Sequence, residues 1–157
     1  MSKVVIIMGS ESDKDFAQKI KKEIVSQTKK VKIVEYVASA HKVPELVLNI
    51  VKKYNSGKEN VCYITIAGRS NGLSGVVAAN AVHPVIACPP FKDKRDFQIN
   101  INSTLVMPSQ TPVLTVIDPS NAASAALRIL GLGDAGVREE VGEGIVGMKR
   151  GFFNRAV

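Results

Sequence analysis

The chain has 157 residues, of which 45% are hydrophobic and 22% charged, a length and mix typical of one compact globular domain. A domain of this size can bury a hydrophobic core without disulfides or a structural metal. The longest apolar runs are strand-sized and fall short of the roughly 18 residues of a membrane span, so a membrane protein is excluded.

The net charge of +7 comes mainly from the first part of the chain, where residues 1–60 carry 12 Lys against 7 acids. The lysines between residues 14 and 32 recur in a way that is typical of a solvated helix face, and nucleic-acid binding is only a distant alternative. A basic protein also favours a small anionic substrate through its overall field.

Both cysteines indicate a reducing environment. Cys62 and Cys88 lie in apolar runs without CxxC spacing, so we expect buried free thiols in a cytoplasmic protein. The apolar stretch after Lys3 is too short for a signal peptide, and secretion is not expected.

Five apolar, β-branched runs predict five strands. They cover residues 4–8, 31–37, 61–67, 84–88 and 112–117. Most runs are continuous rather than alternating, which favours strands buried on both faces in a parallel sheet. Helical patterns lie between them, most clearly over residues 13–26, 44–54 and 120–130. The alternation predicts a single α/β domain over residues 1–157, a three-layer α/β/α sandwich with a flavodoxin-like, doubly wound parallel sheet.

The segment after residue 130 is rich in glycine. Residues 131–151 contain seven glycines, although residues 137–148 otherwise have a helical pattern. Each interior glycine costs a helix about 1 kcal/mol relative to alanine. We therefore expect residues 131–157 either to fray or to pack on a neighbouring subunit.

Ligands of doubly wound sheets bind beyond the carboxyl ends of the strands, so the loops there carry the candidate site. In the first loop, Gly9 permits a tight turn, and Ser10 and the free amides that follow suit a phosphate. Asp13 would then accept hydrogen bonds from ribose hydroxyls. The alternative is that Ser12 or Asp13 only caps the next helix.

The second loop contains His41, an imidazole suited to moving a proton near neutral pH. Lys42 beside it favours an anionic ligand. Both can also be ordinary solvated loop residues. The second histidine, His83, precedes a strand away from this edge and is interpreted as structural.

The third loop, residues 68–75, offers glycines, serines and Asn71, a lining of backbone amides and small polar groups. The sequence shows no metal-binding cluster, no GxGxxG after the first strand and no P-loop spacing, which disfavours dinucleotide and nucleoside-triphosphate cofactors. Flavin is disfavoured too, because aromatic residues are few near these loops.

Together, three motifs in this order resemble the phosphoribosylaminoimidazole carboxylase family of purine biosynthesis. They are Met-Gly-Ser-Glu-Ser-Asp at 8–13, Ser-Ala-His-Lys at 39–42 and Ala-Gly-Arg-Ser-Asn-Gly-Leu-Ser-Gly at 67–75. The resemblance runs from residue 3 to about 130 and includes residues 87–90 and 107–109.

The resemblance also distinguishes two branches of the family. The mutase branch usually has Ser-Ala-His-Arg in the second loop and Ala-Ala-His-Leu-Pro-Gly in the third. Here Lys42 and residues 69–71 differ from that pattern. This implies the second class, which carboxylates aminoimidazole ribonucleotide directly with carbon dioxide, without ATP, biotin or metal. A mutase acting on the N5-carboxyamino nucleotide and a non-catalytic nucleotide-binding module remain alternatives.

The resemblance further implies a flavodoxin-like fold, no cofactor, and a homo-octamer with active sites at subunit contacts. It assigns His41 as the base. It also gives Ser10, Ser39 and Lys42 to the phosphate, Asp13 to the ribose, and Gly68 and Ser70 to the ring and carboxylate. The best-known relatives of this class are half of a bifunctional animal enzyme, and this chain is expected to be a free-standing version. Its glycine-rich tail departs from the long helix usual in the family.

Overall fold

The branched apolar runs form five parallel strands in the computed structural model, which describes residues 1–154. The strands are β1 Ser2–Met8, β2 Val31–Val37, β3 Asn60–Ile66, β4 Val85–Ala87 and β5 Leu114–Thr115. They are ordered β2-β1-β3-β4-β5 and every pairing is parallel. This is the flavodoxin-like order, and the predicted fold class is confirmed.

Helices follow all five strands. They are α1 Lys14–Gln27, α2 Pro44–Asn55, α3 Gly72–Asn80, α4 Lys94–Leu105, α5 Pro119–Leu130 and α6 Ala135–Phe153. A short 3-10 turn, Glu11–Asp13, precedes α1. Pro44 stands at the start of α2, where its missing N–H leaves no hydrogen bond unmade.

The sheet is buried on both faces, which explains why its strands are continuously apolar. On one face, Val4 and Ile6 of β1 pack with α1, α5 and the first turns of α6. On the other face, Val5 and Ile7 pack with α2 and α3. All four side chains are fully buried, and each contributes about 1.5–3 kcal/mol of transfer free energy.

The fifth strand is shorter than predicted. Only Leu114 and Thr115 pair with β4, whereas the sequence pattern covers residues 112–117. A strand at the edge of a sheet has a neighbour on one side only, and half of the Leu114 side chain is exposed. The opposite edge strand, β2, pairs along all seven of its residues, so the edge position alone does not account for the short β5 ladder.

The glycine-rich segment forms one continuous helix, so the expected departure from a long helix is wrong. The Asp134 side chain caps the start of α6 by accepting from the Val137 N–H at 3.3 Å. Val137 and Val141 are then buried against the body of the protein. Tertiary packing of these first turns offsets the cost of the glycines. The last three residues of the predicted segment 131–157 lie outside the described residues.

The two cysteines are buried free thiols, as predicted. Burial raises the pKa of Cys62 to about 12, and the pKa of Cys88 to about 12 with a further contribution from Asp118. No helix within residues 1–154 has the length and apolar character needed to cross a bilayer.

Candidate functional site

A cavity of about 730 Å³ lies beyond the carboxyl ends of β1, β2, β3 and β4. The strand order brings the three predicted loops together there, and the loop after β4 joins them. Six of the seven predicted site residues line the cavity: Ser10, Asp13, Ser39, His41, Gly68 and Ser70. The seventh, Lys42, is exposed and is not among the lining residues.

The first loop is held by a reciprocal cap. The Ser10 hydroxyl accepts from the Ser12 N–H at 3.3 Å, and the Asp13 carboxylate accepts from the Ser10 N–H at 3.0 Å. This capping box starts the helical chain that continues as α1. Asp13 therefore takes part in capping, as the alternative expected. Ser10 and Asp13 also line the cavity, so each can both cap the helix and contact a ligand.

Asp13 is a buried carboxyl at the edge of the cavity, with only 9% of its surface exposed. Burial raises its pKa above the ordinary value, and the hydrogen bond from Ser10 opposes that shift only in part. A carboxylate removed from water is stabilised by additional donors. A ligand carrying hydroxyl groups supplies such donors.

The imidazole of His41 lies against the start of α3. A Cβ added at Gly72 would stand 2.9 Å from its Nε2 and 3.1 Å from its Cε1. The turn that carries His41 is closed by the Val43 N–H, which donates to the Ser39 carbonyl at 2.9 Å. The missing side chain of Gly72 thus creates the space that the ring occupies.

Positive charge on the cavity wall comes from residues other than Lys42. Lys19 of α1 and Arg69 of the third loop both line the cavity. Sequence reasoning placed Lys19 on a solvated face, and it is indeed exposed. A position inside a helix, six residues after the first loop ends at Asp13, gives no sequence signal that it also faces the site.

The third loop is tightly bent and firmly anchored. Ser70 has a left-handed backbone with φ of 50°, and the Gly72 N–H donates to the Ser70 carbonyl at 2.6 Å around Asn71. The buried Asn71 side chain accepts from the Ser74 N–H at 3.1 Å and donates to Thr104 of α4 at 3.0 Å. These bonds hold Gly68 and Ser70 against the cavity.

The fourth loop was not predicted as part of the wall. It contributes Pro90 and Phe91, and Asn100 of α4 stands behind it. Asn100 is 3% exposed, and its Nδ2 donates to the Pro90 carbonyl at 3.3 Å. A Cβ at Gly68 would be 3.4 Å from that nitrogen, so Gly68 lets the two loops approach closely.

Two aromatic rings also line the cavity, Phe91 and Phe16 of α1. These two rings are the aromatic residues of the cavity wall, in keeping with the expectation that aromatic residues are few near these loops. Phe16 also packs partly against the core of the protein. The Phe16 side chain therefore contacts both the hydrophobic core and the cavity.

The arrangement combines an imidazole, the buried carboxyl of Asp13 and several loop amides around one cavity. Three cations, Lys19, Arg69 and Lys92, and two further carboxylates, Asp15 and Asp96, complete its charged lining. Loop amides and cations suit a phosphate, and the carboxylate suits hydroxyl donors. The imidazole is the group able to exchange a proton near neutral pH. The geometry therefore fits a phosphorylated small molecule that undergoes proton transfer.

Comparison with known proteins gives a consistent result. Residues 3–150 match the family model described as AIR carboxylase. A phosphoribosylaminoimidazole carboxylase of Archaeoglobus fulgidus is 48% identical over 139 residues, which cover 88% of this chain and 74% of the relative. One from Treponema denticola is 41% identical, with 88% of this chain and 85% of the relative covered.

Two further matches extend the comparison. The crystal structure of Treponema denticola PurE superposes with a TM-score of 0.91 at 36% identity, covering 98% of this chain and 96% of that one. A bifunctional phosphoribosylaminoimidazole carboxylase/phosphoribosylaminoimidazole succinocarboxamide synthetase of Drosophila melanogaster is 44% identical over 131 residues. That match covers 83% of this chain and 30% of the longer protein.

Proposed function

The chain belongs to the AIR carboxylase family and is a carboxylase of purine biosynthesis, and from this premise we propose that it carboxylates 5-aminoimidazole ribonucleotide directly with carbon dioxide. The product is 4-carboxy-5-aminoimidazole ribonucleotide, and the step uses no ATP, biotin or metal. The observation that carries the proposal is the cavity, which six of the predicted site residues line and where the His41 ring packs against Gly72.

The choice of the direct reaction rests on the motifs. Lys42 and the Arg-Ser-Asn sequence at 69–71 depart from the pattern of the mutase branch. The bifunctional carboxylase and synthetase of Drosophila melanogaster is 44% identical to this chain over 131 residues. Both observations favour carbon dioxide itself as the second substrate.

The chemistry needs orientation and a base more than a nucleophile. The 5-amino group donates electrons into the imidazole ring, so C4 attacks carbon dioxide and a carbon–carbon bond forms. C4 then carries both a proton and the new carboxylate. Loss of that proton to a base returns its bonding electrons to the ring and restores aromaticity. The protein must hold the two reactants together in a site from which water is displaced.

We assign the base to His41, whose ring reaches the cavity between the second and third loops. Asp13 accepts from the ribose hydroxyls, and Gly68 and Ser70 hold the ring and the new carboxylate. Ser10 and Ser39 bind the phosphate, whereas Lys42, which the resemblance also assigns to the phosphate, does not line the cavity of this chain. The cavity wall adds Lys19 and Arg69 as further positive charges for that anion.

We further propose that the enzyme is a cytoplasmic homo-octamer in which each chain is one domain. The end of α6 supports assembly because its apolar side chains project from the body of the protein. Met148 is 56% exposed and Phe152 is 70% exposed. A neighbouring subunit that covers this surface would remove both from water.

The deciding experiment mixes the purified protein with aminoimidazole ribonucleotide and carbon dioxide, without ATP, and follows the 4-carboxylate. A parallel reaction receives the N5-carboxyamino nucleotide. We expect rapid product formation from the first mixture. Efficient turnover of the second mixture alone would instead identify a mutase. If neither yields product while the nucleotide still binds, a non-catalytic binding module is the better description.

A further inference from the structure

We propose that Thr65, a buried residue of β3, is a positioning residue that holds the imidazole of His41 in place through the start of α3. This inference rests on the proposed function, because it takes His41 as the base. Thr65 is fully buried and is not among the residues that line the cavity. Its effect on the reaction must therefore be transmitted through other residues.

The His41 ring is positioned by packing. Among residues 1–154, the His83 ring makes a side-chain hydrogen bond and the His41 ring makes none. The His41 ring instead lies against Gly72, where an added Cβ would come within 2.9 Å of its Nε2. A displacement of the Gly72 backbone would therefore change the space available to the ring.

Gly72 is enclosed by a buried helix cap. The Asn71 side chain accepts from the Ser74 N–H at 3.1 Å and from the Ser74 hydroxyl at 2.8 Å. These two bonds close the chain around Gly72 and Leu73, the residues between them. Through its Nδ2, Asn71 also donates to the Thr104 hydroxyl at 3.0 Å, which ties the cap to α4. The position of Gly72 thus depends on how firmly the cap is held.

The hydrogens available show what Thr65 contributes to this cap. The Ser74 hydroxyl has one hydrogen, and Asn71 Oδ1 can only accept, so that hydrogen is donated to Asn71. In the 2.7 Å contact between the Thr65 and Ser74 hydroxyls, Thr65 is then the donor. The Thr65 hydroxyl also lies 3.3 Å from the Ile86 carbonyl, a longer contact than that to Ser74. The Thr65 hydrogen therefore orients the Ser74 hydroxyl toward the cap.

This chain of hydrogen bonds is shielded from water. Thr65 and Ser74 are fully buried, and Asn71 and Thr104 are 4% and 1% exposed. Hydrogen bonds in such surroundings are stronger than in water and reinforce one another along a chain. The other buried residues of β3 are hydrophobic, and a valine would fill the space of Thr65. The contribution of Thr65 is thus its hydroxyl rather than its volume.

Such a chain limits where the base can stand. Proton removal from C4 requires an imidazole nitrogen within hydrogen-bonding distance, and a small displacement lowers the rate steeply. Without the Thr65 hydroxyl, the Ser74 hydroxyl is free to turn away from Asn71. The cap then loosens, and the His41 ring follows the Gly72 backbone. The phosphate and the ribose are assigned to the loops after β1 and β2, so we expect nucleotide binding to change much less than turnover.

The kinetic test compares Thr65→Val, which loses the hydroxyl, with Thr65→Ser, which keeps it. We expect Thr65→Val to lower kcat roughly tenfold, while the dissociation constant for aminoimidazole ribonucleotide stays within about twofold by calorimetry. Thr65→Ser should keep kcat near the wild-type value. In the His41→Asn background, Thr65→Val should lower kcat no further, because the ring that it positions is gone. A tenfold loss in both backgrounds would overturn the inference.

Thr28→Val is the matched control. Thr28 is 5% exposed, and its hydroxyl donates to Glu140 of α6. Neither residue lines the cavity. We expect Thr28→Val to lose stability in urea denaturation and to keep the wild-type kcat. An equal loss of kcat in Thr28→Val and Thr65→Val would overturn the specific role of Thr65.

A second measurement does not require turnover. The sequence has two histidines, so the two Cε1–H signals can be assigned by NMR with the help of His41→Asn. The Cε1 of His41 is one of its two ring atoms nearest Gly72. We expect Thr65→Val to shift the His41 signal and Thr28→Val to leave it in place. An unmoved His41 signal in folded Thr65→Val would overturn the inference.

Ser74→Ala removes the next hydroxyl of the same chain and takes the place of Thr65→Val in both measurements if that variant does not fold. Failure of the proposed function would look different. The wild-type protein would then neither bind nor carboxylate the nucleotide, while a shifted His41 signal in Thr65→Val would still support the contact from Thr65 to the ring.

Discussion

The catalytic assignment of His41 is open to a direct test at the level of one side chain. Removing a general base typically lowers turnover roughly 10²- to 10⁴-fold. We therefore expect His41→Asn to lose turnover on this scale while its dissociation constant for the nucleotide changes little. Steady-state kinetics and calorimetry measure the two quantities. Turnover within a few fold of wild type would remove His41 from the role of base.

A substitution at Gly72 tests the role of the His41 imidazole a second time, without replacing the histidine itself. In Gly72→Ala, the new Cβ would stand 2.9 Å from the His41 Nε2, so the imidazole must move away. A displacement of about 1 Å can cost roughly 10²-fold in rate. We expect kcat to fall on that scale while thermal stability is kept, because alanine is a better helix former.

Gly75→Ala is the matched control in the same helix. A Cβ there would lie 3.5 Å from the Met107 sulfur, an ordinary contact, and we expect normal kcat. If both alanine variants keep wild-type turnover, the position of the ring against Gly72 does not matter for catalysis.

Asp13 links binding to stability through its burial. Because burial raises its pKa, the folded protein holds this proton more tightly than the unfolded chain does. The unfolding free energy therefore decreases as pH rises from about 4 through the pKa of the folded state. Asp13→Asn cannot ionise and can still accept from the Ser10 N–H. Urea denaturation should show this variant gaining stability relative to wild type as the pH rises through that window.

The same substitution should weaken nucleotide binding at neutral pH by roughly ten- to hundredfold, the usual effect of losing a charged hydrogen-bond acceptor. The check is a double-mutant cycle with ligands that lack a ribose hydroxyl. Losses from Asp13→Asn and from the deoxy ligand should not add. Fully additive losses would contradict a direct contact.

Among the helices, α4 acts as the support for the third loop. Asn71 joins them, since its side chain caps α3 through Ser74 and also donates to Thr104 of α4. We expect Asn71→Ala to lower the unfolding free energy by about 2–4 kcal/mol, from the lost cap and the unmet buried partners. Asn71→Ser, an uncharged residue favoured at helix N-termini, keeps a capping oxygen and should lose only about 1 kcal/mol.

Denaturant unfolding of both variants measures this difference. Equal losses would indicate that the cap contributes little and that the bond to α4 dominates. The result matters for the site because Ser70, next to Asn71, holds a left-handed backbone that costs about 1–3 kcal/mol and needs rigid surroundings.

Across the whole molecule, the sheet was predictable and part of the site was not. Continuous runs such as residues 4–8 fix buried parallel strands, and the flavodoxin-like order then brings the predicted loops to one edge. Asn100 and Lys19 escaped prediction because they lie inside helices, where the facing direction depends on how each helix packs. Phe16 contacts both the core and the cavity, and hydrophobic periodicity alone does not show that an apolar residue of a helix also lines a cavity.

Assembly is the property of the molecule that α6 should control. Within residues 1–154, a Cβ at Gly144, Gly147 or Gly151 meets no atom within 4 Å. Gly147→Leu should therefore leave the subunit folded, and its helix propensity improves. If a neighbour packs closely here, the added side chain should shift the mass in sedimentation toward that of the 16.9 kDa chain.

Glu139→Leu is the control, an exposed position in the part of α6 that lies on the subunit's own body. It adds the same side chain and should leave the mass unchanged. An unaltered mass in Gly147→Leu would show that subunits do not meet at this face of the helix.

The two buried thiols make the protein convenient for optical labelling. Both cysteines of the sequence have a pKa raised to about 12, so neither is a reactive thiolate at neutral pH. One cysteine introduced at the exposed Lys92, on the rim of the cavity, would then react selectively with a maleimide dye. A fluorophore placed there would report occupancy of the cavity in real time, without first removing the native cysteines.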